Sequence, residues 1–128
     1  MTNSQLHVGA HYLVELSECD ISLINSESHL RERLLEAIGQ SGARIIRDVF
    51  HSFSPHGVTG VVVIAESHVS IHTWPEHGYA AVDIFTCSEK MRMPELIEAI
   101  KLITGSFKVV ITKIDRGPTS QREAEISS

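Results

Sequence analysis

One eight-residue stretch near the middle of the chain constrains the fold most. Residues 58–65 read Val-Thr-Gly-Val-Val-Val-Ile-Ala, a continuous apolar and largely β-branched run. Such a run is far too short to span a bilayer and is typical of a β-strand covered on both faces. Because side chains alternate between the two faces of a strand, both faces of the sheet that contains it need an apolar cover.

The rest of the chain carries the periodicities of further strands and of two helices. Apolar residues recur at spacings of three and four over residues 27–38 and 94–103, which predicts amphipathic helices. Residues 66–74 continue the central strand without a turn signal, and β-branched and aromatic residues predict four more strands, at 7–16, 43–50, 80–87 and 107–114. The predicted order is β-α-β-β-β-α-β.

This order predicts an α+β fold, a two-layer sandwich with a largely antiparallel sheet and both helices on one face. A chain of 128 residues suits one domain, placed at 1–115, and the polar segment 116–128 is expected to be a disordered tail. Val61 and Val63 would lie in water on the face without helices unless another subunit covers them. We therefore expect a homodimer, and leave higher assembly open.

Charge and composition exclude several classes of protein. Lys and Arg number 11 against 16 Asp and Glu, without a basic cluster, which argues against a nucleic-acid groove. The sequence has neither an apolar span nor a signal peptide, so we expect no membrane partner and a cytoplasmic location. Two cysteines cannot form a disulfide scaffold. Eight histidines instead indicate proton-transfer or ligand chemistry.

Candidate chemistry is concentrated in residues 66–76, with Cys87 nearby. A zinc site could use the imidazoles and thiolate of His68, His72, His77 and Cys87, but no paired metal-binding motif is present. We expect no metal.

Two other interpretations of this segment remain open from spacing alone. Ser67 or Ser70 could serve with His72 in a hydrolase, although the nucleophile elbow of such enzymes is absent. Alternatively, His68, Ser70 and His72 could form the solvated face of an edge strand without any chemical role.

The residues of this segment closely resemble the prokaryotic S-adenosylmethionine decarboxylase proenzymes. The likeness is carried by the runs Gly-Val-Thr-Gly-Val-Val-Val-Ile-Ala-Glu-Ser-His at 57–68, Ile-His-Thr-Trp-Pro-Glu at 71–76, Gly-Tyr-Ala-Ala-Val-Asp at 78–83 and Phe-Thr-Cys at 85–87. It extends more weakly over residues 8–117. A match of this length with rare residue types is more specific than any short motif.

The resemblance implies that the chain cuts itself between Glu66 and Ser67, into residues 1–66 and 67–128. The serine hydroxyl attacks the preceding carbonyl, the acyl group moves from nitrogen to oxygen, and β-elimination followed by hydrolysis leaves a pyruvoyl group in place of Ser67. Its ketone forms a Schiff base with the substrate amine and acts as the electron sink, a role that pyridoxal phosphate plays in other enzymes. We therefore expect neither pyridoxal phosphate nor a metal.

The resemblance also implies roles for five further positions. His72 matches the histidine that moves a proton during processing, and Cys87 matches the proton donor of the decarboxylation. Thr59 stands where the family often has a serine that assists processing. Phe53 matches a ring that stacks on adenine, and Glu76 matches a carboxylate that grips the ribose.

The implied activity is decarboxylation of S-adenosylmethionine to S-adenosylmethioninamine, the aminopropyl donor for spermidine. Pyruvoyl-dependent decarboxylation of arginine or ornithine is the alternative, against which Phe53 argues because neither substrate has a base to stack. A non-catalytic dimeric paralogue is the remote alternative. Ser67 and His72 have opposite parity on a strand, so either the strand bends or the two residues meet across a dimer.

Overall fold

The structure is a computed structural model that describes residues 8–118. Over these residues the chain forms one six-stranded sheet in the order β2-β3-β4-β5-β1-β6, in which every neighbouring pair is antiparallel. The strands are β1 (Gly9–Ser17), β2 (Ile45–Ser52), β3 (Val58–Ile64), β4 (Ser67–Trp74), β5 (Tyr79–Thr86) and β6 (Lys108–Arg116). The helices are α1 (Ile21–Ile24), α2 (Glu27–Gln40) and α3 (Met93–Thr104), with a 3-10 turn at Pro75–His77.

The two long helices begin and end where the sequence supplies capping residues. The Ser26 hydroxyl accepts a hydrogen bond from the His29 amide at the start of α2. Pro94 lies in the first turn of α3, and Gly105 ends that helix with a positive φ of 67°. The short helix α1 was not predicted; its local signal is Asp20, whose carboxylate accepts from two backbone amides of the first turn.

The core lies between α2, α3 and one face of the sheet. Leu30, Leu34 and Ile38 from α2 and Leu96 and Ile100 from α3 are buried there against alternate residues of the strands. Those strand residues are Val14, Leu16, Val62, Ile64, Val69, Ile71, Val82 and Ile84. The predicted α+β sandwich, with its helices on one face, is confirmed.

Two predictions about the course of the chain are wrong. Residues 58–74 form two antiparallel strands rather than one, because a turn at Ala65 and Glu66 reverses the chain. The last strand reaches Arg116, one residue into the predicted tail, because β6 pairs with β1 along its full length. His7, where the first strand was predicted to begin, and residues 119–128 lie outside the described part.

The second face of the sheet carries no helix within residues 8–118. Val49, Val61 and Val63 lie on it with exposed fractions of 64%, 39% and 43%. Contiguous apolar side chains in water are typical of an interaction surface. We call this surface the open face. None of the helices in the described range is long and apolar enough to cross a membrane.

Candidate active site

The Glu66–Ser67 peptide bond lies in a tight hairpin between β3 and β4. Ile64 pairs with Ser67, so only Ala65 and Glu66 form the turn. Ser67 has a φ of 154°, a region that residues with a side chain rarely adopt. Strain of this kind costs about 1–3 kcal/mol and persists only where the surrounding structure enforces it.

Both sides of this turn are held by hydrogen bonds to Arg44, just before β2, and Cys87, just after β5. The carbonyl oxygen of Glu66 accepts from the Cys87 amide at 2.9 Å. The Glu66 carboxylate accepts from the Arg44 amide at 3.2 Å, and the Ala65 amide donates to the Arg44 carbonyl at 2.8 Å. The first bond polarises the carbonyl that precedes Ser67, which makes its carbon a better target for a nucleophile.

The Ser67 hydroxyl has an imidazole within hydrogen-bond distance. Its Oγ lies 3.3 Å from Nδ1 of His68. The His68 ring is packed among two others, with its centroid 5.8 Å from that of Phe85 and 6.5 Å from that of His11. No processing role was predicted for His68, although its place beside Ser67 in the Glu-Ser-His motif was the available signal.

Four other predicted site residues lie together at the far end of β4. Phe53, Thr59, His72 and Glu76 all line one cavity of about 380 Å³. This volume lies within the range of small-molecule sites. Thr59 and His72 are cross-strand partners, and the threonine Oγ1 lies 3.1 Å from Nδ1 of His72. This contact, which was not predicted, restricts the orientation of the imidazole.

The remaining groups of this cavity suit an aromatic and polar ligand. The Phe53 ring is 51% exposed and contacts His51 edge-on, with centroids 4.7 Å apart. A carboxylate oxygen of Glu76 lies 3.0 Å from Nε2 of His56. His56 and Trp74, which also line the cavity, were not predicted, since neither the periodicity nor the spacing of the sequence distinguishes them.

Ser67 and His72 do not meet within one protomer. They are five positions apart, which corresponds to about 16 Å along an extended strand. The pairing of β4 with β3 and β5 is continuous from Ser67 to His72, so the strand does not bend as one alternative required. The predicted site residues therefore form two groups. Glu66 and Ser67 lie at the hairpin, which we call the cleavage end, and the cavity with Thr59 and His72 is the cavity end.

The two cysteines have different environments. Cys87 is exposed beside the cleavage end, where it lines a second cavity of about 380 Å³ with Thr86, Met91 and Met93 among others. Cys19 is buried, and burial raises the pKa of its thiol. A buried thiol with a raised pKa is a poor proton donor to a substrate, so Cys87 is the candidate of the two.

The alternatives from spacing find little support in this geometry. Within residues 8–118 no three His, Cys, Asp or Glu side chains gather as a metal site would need. The hydrolase pairs are not formed either: the imidazole beside Ser67 belongs to His68, while Nδ1 of His72 contacts Thr59. The segment is also not an edge strand, because β4 lies between β3 and β5.

Comparison with known proteins identifies the family of the chain. A family model described as S-adenosylmethionine decarboxylase matches residues 10–117. The chain belongs to the S-adenosylmethionine decarboxylase family. An S-adenosylmethionine decarboxylase proenzyme of Methanococcus aeolicus is 46% identical over 111 residues, which cover 87% of this chain and 95% of the relative. One of Thermotoga petrophila is 41% identical over 110 residues, covering 86% and 85% of the two chains.

A solved structure extends this likeness to three dimensions. The crystal structure of the adenosylmethionine decarboxylase from Aquifex aeolicus superposes with a TM-score of 0.80 at 33% identity, covering 93% of this chain and 98% of that one. The predicted membership of the S-adenosylmethionine decarboxylase family is thus confirmed. None of these matches favours the arginine or ornithine alternative.

Proposed function

We propose that this chain is the precursor of a pyruvoyl-dependent S-adenosylmethionine decarboxylase that cuts itself between Glu66 and Ser67. The observation that carries the proposal is the hairpin turn itself. It combines a serine in a strained conformation with a preceding carbonyl whose oxygen accepts from the Cys87 amide. Both features favour attack by an internal nucleophile on the Glu66 carbonyl carbon.

Self-cleavage follows from the groups at the turn. The Ser67 oxygen bonds to the Glu66 carbonyl carbon, and the peptide C–N bond breaks to leave an ester. Removal of the Ser67 Cα proton then breaks the Cβ–Oγ bond and expels the main-chain α-carboxylate of Glu66, and hydrolysis of the resulting dehydroalanine releases ammonia. The new termini stay held, because Ser67 remains paired with Thr86 and Glu66 remains bonded to Arg44 and Cys87. The site therefore fits a pyruvoyl group at position 67.

A complete active site requires a homodimer in which two open faces meet. The two-fold axis of this dimer would lie between the two open faces and run perpendicular to the strands. Rotation about it reverses the strand direction, so that β4 of one protomer packs antiparallel to β4 of the other. Ser67 of one protomer then approaches the cavity that holds His72 of its partner, which removes the separation of about 16 Å within one chain. The exposed Val49, Val61 and Val63 supply apolar surface for this contact.

Each residue of the shared site then has a chemical task. Thr59 orients His72, which takes the Cα proton during elimination. Phe53 stacks on the adenine of S-adenosylmethionine, and Glu76 accepts hydrogen bonds from the ribose. The pyruvoyl group supplies an electron sink for the electron pair that remains on the substrate α-carbon when carbon dioxide leaves. The Cys87 thiol returns a proton to the substrate carbon.

The product is decarboxylated S-adenosylmethionine, a donor of aminopropyl groups for polyamine synthesis. Cys87 must be a free thiol to donate a proton, and its exposed side chain is accessible to oxidants. We therefore infer a reducing compartment, the cytoplasm.

Intact mass spectrometry of the purified chain tests self-cleavage. The wild-type chain of 128 residues should yield fragments 1–66 and 67–128. The second fragment should be lighter than a simple hydrolysis product by one ammonia. Ser67→Ala should remain whole at 14.2 kDa, whereas Ser70→Ala, a matched control on the same strand, should be cut. An uncut wild-type chain after prolonged incubation would rule out the pyruvoyl mechanism.

Carbon dioxide release from separately supplied amino acids tests the substrate. S-adenosylmethionine should be consumed, and arginine and ornithine should not. Preference for either of the latter would overturn the substrate and leave the mechanism of cleavage standing.

A further inference from the structure

We propose that His68 is the base that removes the hydroxyl proton of Ser67 in the first step of self-cleavage. The inference rests on the proposed self-cleavage and adds to it a residue from the same protomer as the nucleophile. Its starting point is the distance of 3.3 Å between Nδ1 of His68 and Oγ of Ser67.

The proposed task of the partner's His72 is the later removal of the Cα proton, and His72 of the same protomer is poorly placed for the first step. Its Nδ1 already contacts the Thr59 hydroxyl, and it lies about 16 Å along the strand from Ser67 of its own protomer. A serine hydroxyl is a weak nucleophile until an adjacent base takes its proton. In the described structure, His68 is the imidazole that meets this requirement.

The His68 ring is also held in place. It packs against the rings of Phe85 and His11 on the open face, and its strand is paired on both sides. The unusual φ of Ser67 lets the hydroxyl lie next to an imidazole that the regular alternation of a strand would put on the other face. The backbone conformation of Ser67 and the position of His68 therefore serve the same contact.

The step balances without any further reactant. The Oγ proton of Ser67 passes to Nδ1 of His68 as Oγ bonds to the Glu66 carbonyl carbon. The Cys87 amide donates to the oxygen on which negative charge develops. The C–N bond then breaks, and the leaving nitrogen of Ser67 takes the proton back from His68, which ends the step neutral.

Two histidines thus divide the processing reaction. His68 acts on the O–H proton within one protomer, and His72 acts on the Cα proton across the dimer. The acyl shift therefore requires only the local hairpin, whereas elimination requires the partner.

Hydroxylamine provides a readout of the first step alone, because it cleaves an ester whether or not elimination can follow. We would synthesise the full chain in a cell-free system, add hydroxylamine at once, and follow by mass the appearance of fragment 1–66 with a C-terminal hydroxamate over a range of pH. His68→Asn is the informative variant, since its amide can accept a hydrogen bond near the position of Nδ1 but cannot take a proton. His11→Asn is the matched control, because it disturbs the same ring cluster without touching Ser67.

His68→Asn should slow hydroxylamine-dependent cleavage about a hundredfold, the usual contribution of a general base. Its residual rate should keep rising with pH as hydroxide replaces the missing base, whereas the wild-type rate should level off. His11→Asn should stay within a few-fold of wild type with the same pH profile. Thermal unfolding checks that both variants are folded.

Cleavage of folded His68→Asn at the wild-type rate and with the wild-type pH profile would overturn this inference while leaving self-cleavage intact. A slow His68→Asn whose pH profile matches wild type would also overturn it, since that result indicates positioning alone. Failure of the wild-type chain to cut at all would instead refute the proposed function.

Discussion

A mixture of two inactive variants, Ser67→Ala and His72→Ala, tests whether the active site is shared between protomers. Within one protomer the two residues are about 16 Å apart, several times the reach of a hydrogen bond of about 3 Å. Neither variant alone should be processed. A mixed dimer contains one site with both residues intact, formed by Ser67 of the His72→Ala chain and His72 of the Ser67→Ala chain.

The expected yield can be worked out from random pairing. Equal amounts of the two chains give mixed dimers in about half of the cases, so about half of the His72→Ala chains and a quarter of all chains should be cut. Co-expression of the variants with tags of different mass lets mass spectrometry show which chain is cut. Absence of cut chains from confirmed mixed dimers would refute the shared site, and cleavage of the Ser67→Ala chain would contradict the role of Ser67.

Other predictions follow from the two ends of the site and from the open face. Cys87→Ser should be processed, since the backbone amide that contacts the scissile carbonyl remains, but should lose most decarboxylation; Cys19→Ser, as a control, should keep the turnover of folded enzyme. Phe53→Ala should weaken use of S-adenosylmethionine roughly tenfold through lost stacking, whereas removal of another exposed ring by Phe107→Ala should leave kinetics unchanged. A hydrogen bond to a carboxylate raises the pKa of Tyr79 from 10.0 to about 12. The contribution of this hydrogen bond, between Tyr79 and Glu15, to folding stability is complete below pH ~10 and is lost as pH rises towards about 12. In urea titrations, Tyr79→Phe should therefore lose less stability over that interval than wild type.

Local sequence patterns were sufficient for most of the fold. The helical stripe with its Ser26 cap and the Pro94 and Gly105 signals are short-range features, so α2 and α3 lie close to the predicted ranges. The alternation of Val61, Val62 and Val63 between exposed and buried sites also follows from the strand period alone. Ser67, His72 and Cys87 were predicted as site residues from the family resemblance, since their spacing alone left several kinds of site open.

The hairpin at Ala65 and Glu66 depended on tertiary contacts. Neither residue is a strong turn former, and the reversal is held by bonds from Arg44 and Cys87, which lie far away in sequence. The local sequence pattern therefore predicted one uninterrupted strand through Ala65 and Glu66.

The arrangement of the site was likewise decided by strand pairing. Register places Thr59 opposite His72 and leaves both far from Ser67, a distance that no motif contains. The backbone conformation of Ser67 then sets which imidazole its hydroxyl meets, and that imidazole belongs to His68. The sequence by itself determined the residue types, the periodicity and the family, because these depend on neighbours along the chain. Only the tertiary structure decided which side chains meet, because that depends on pairing between distant segments.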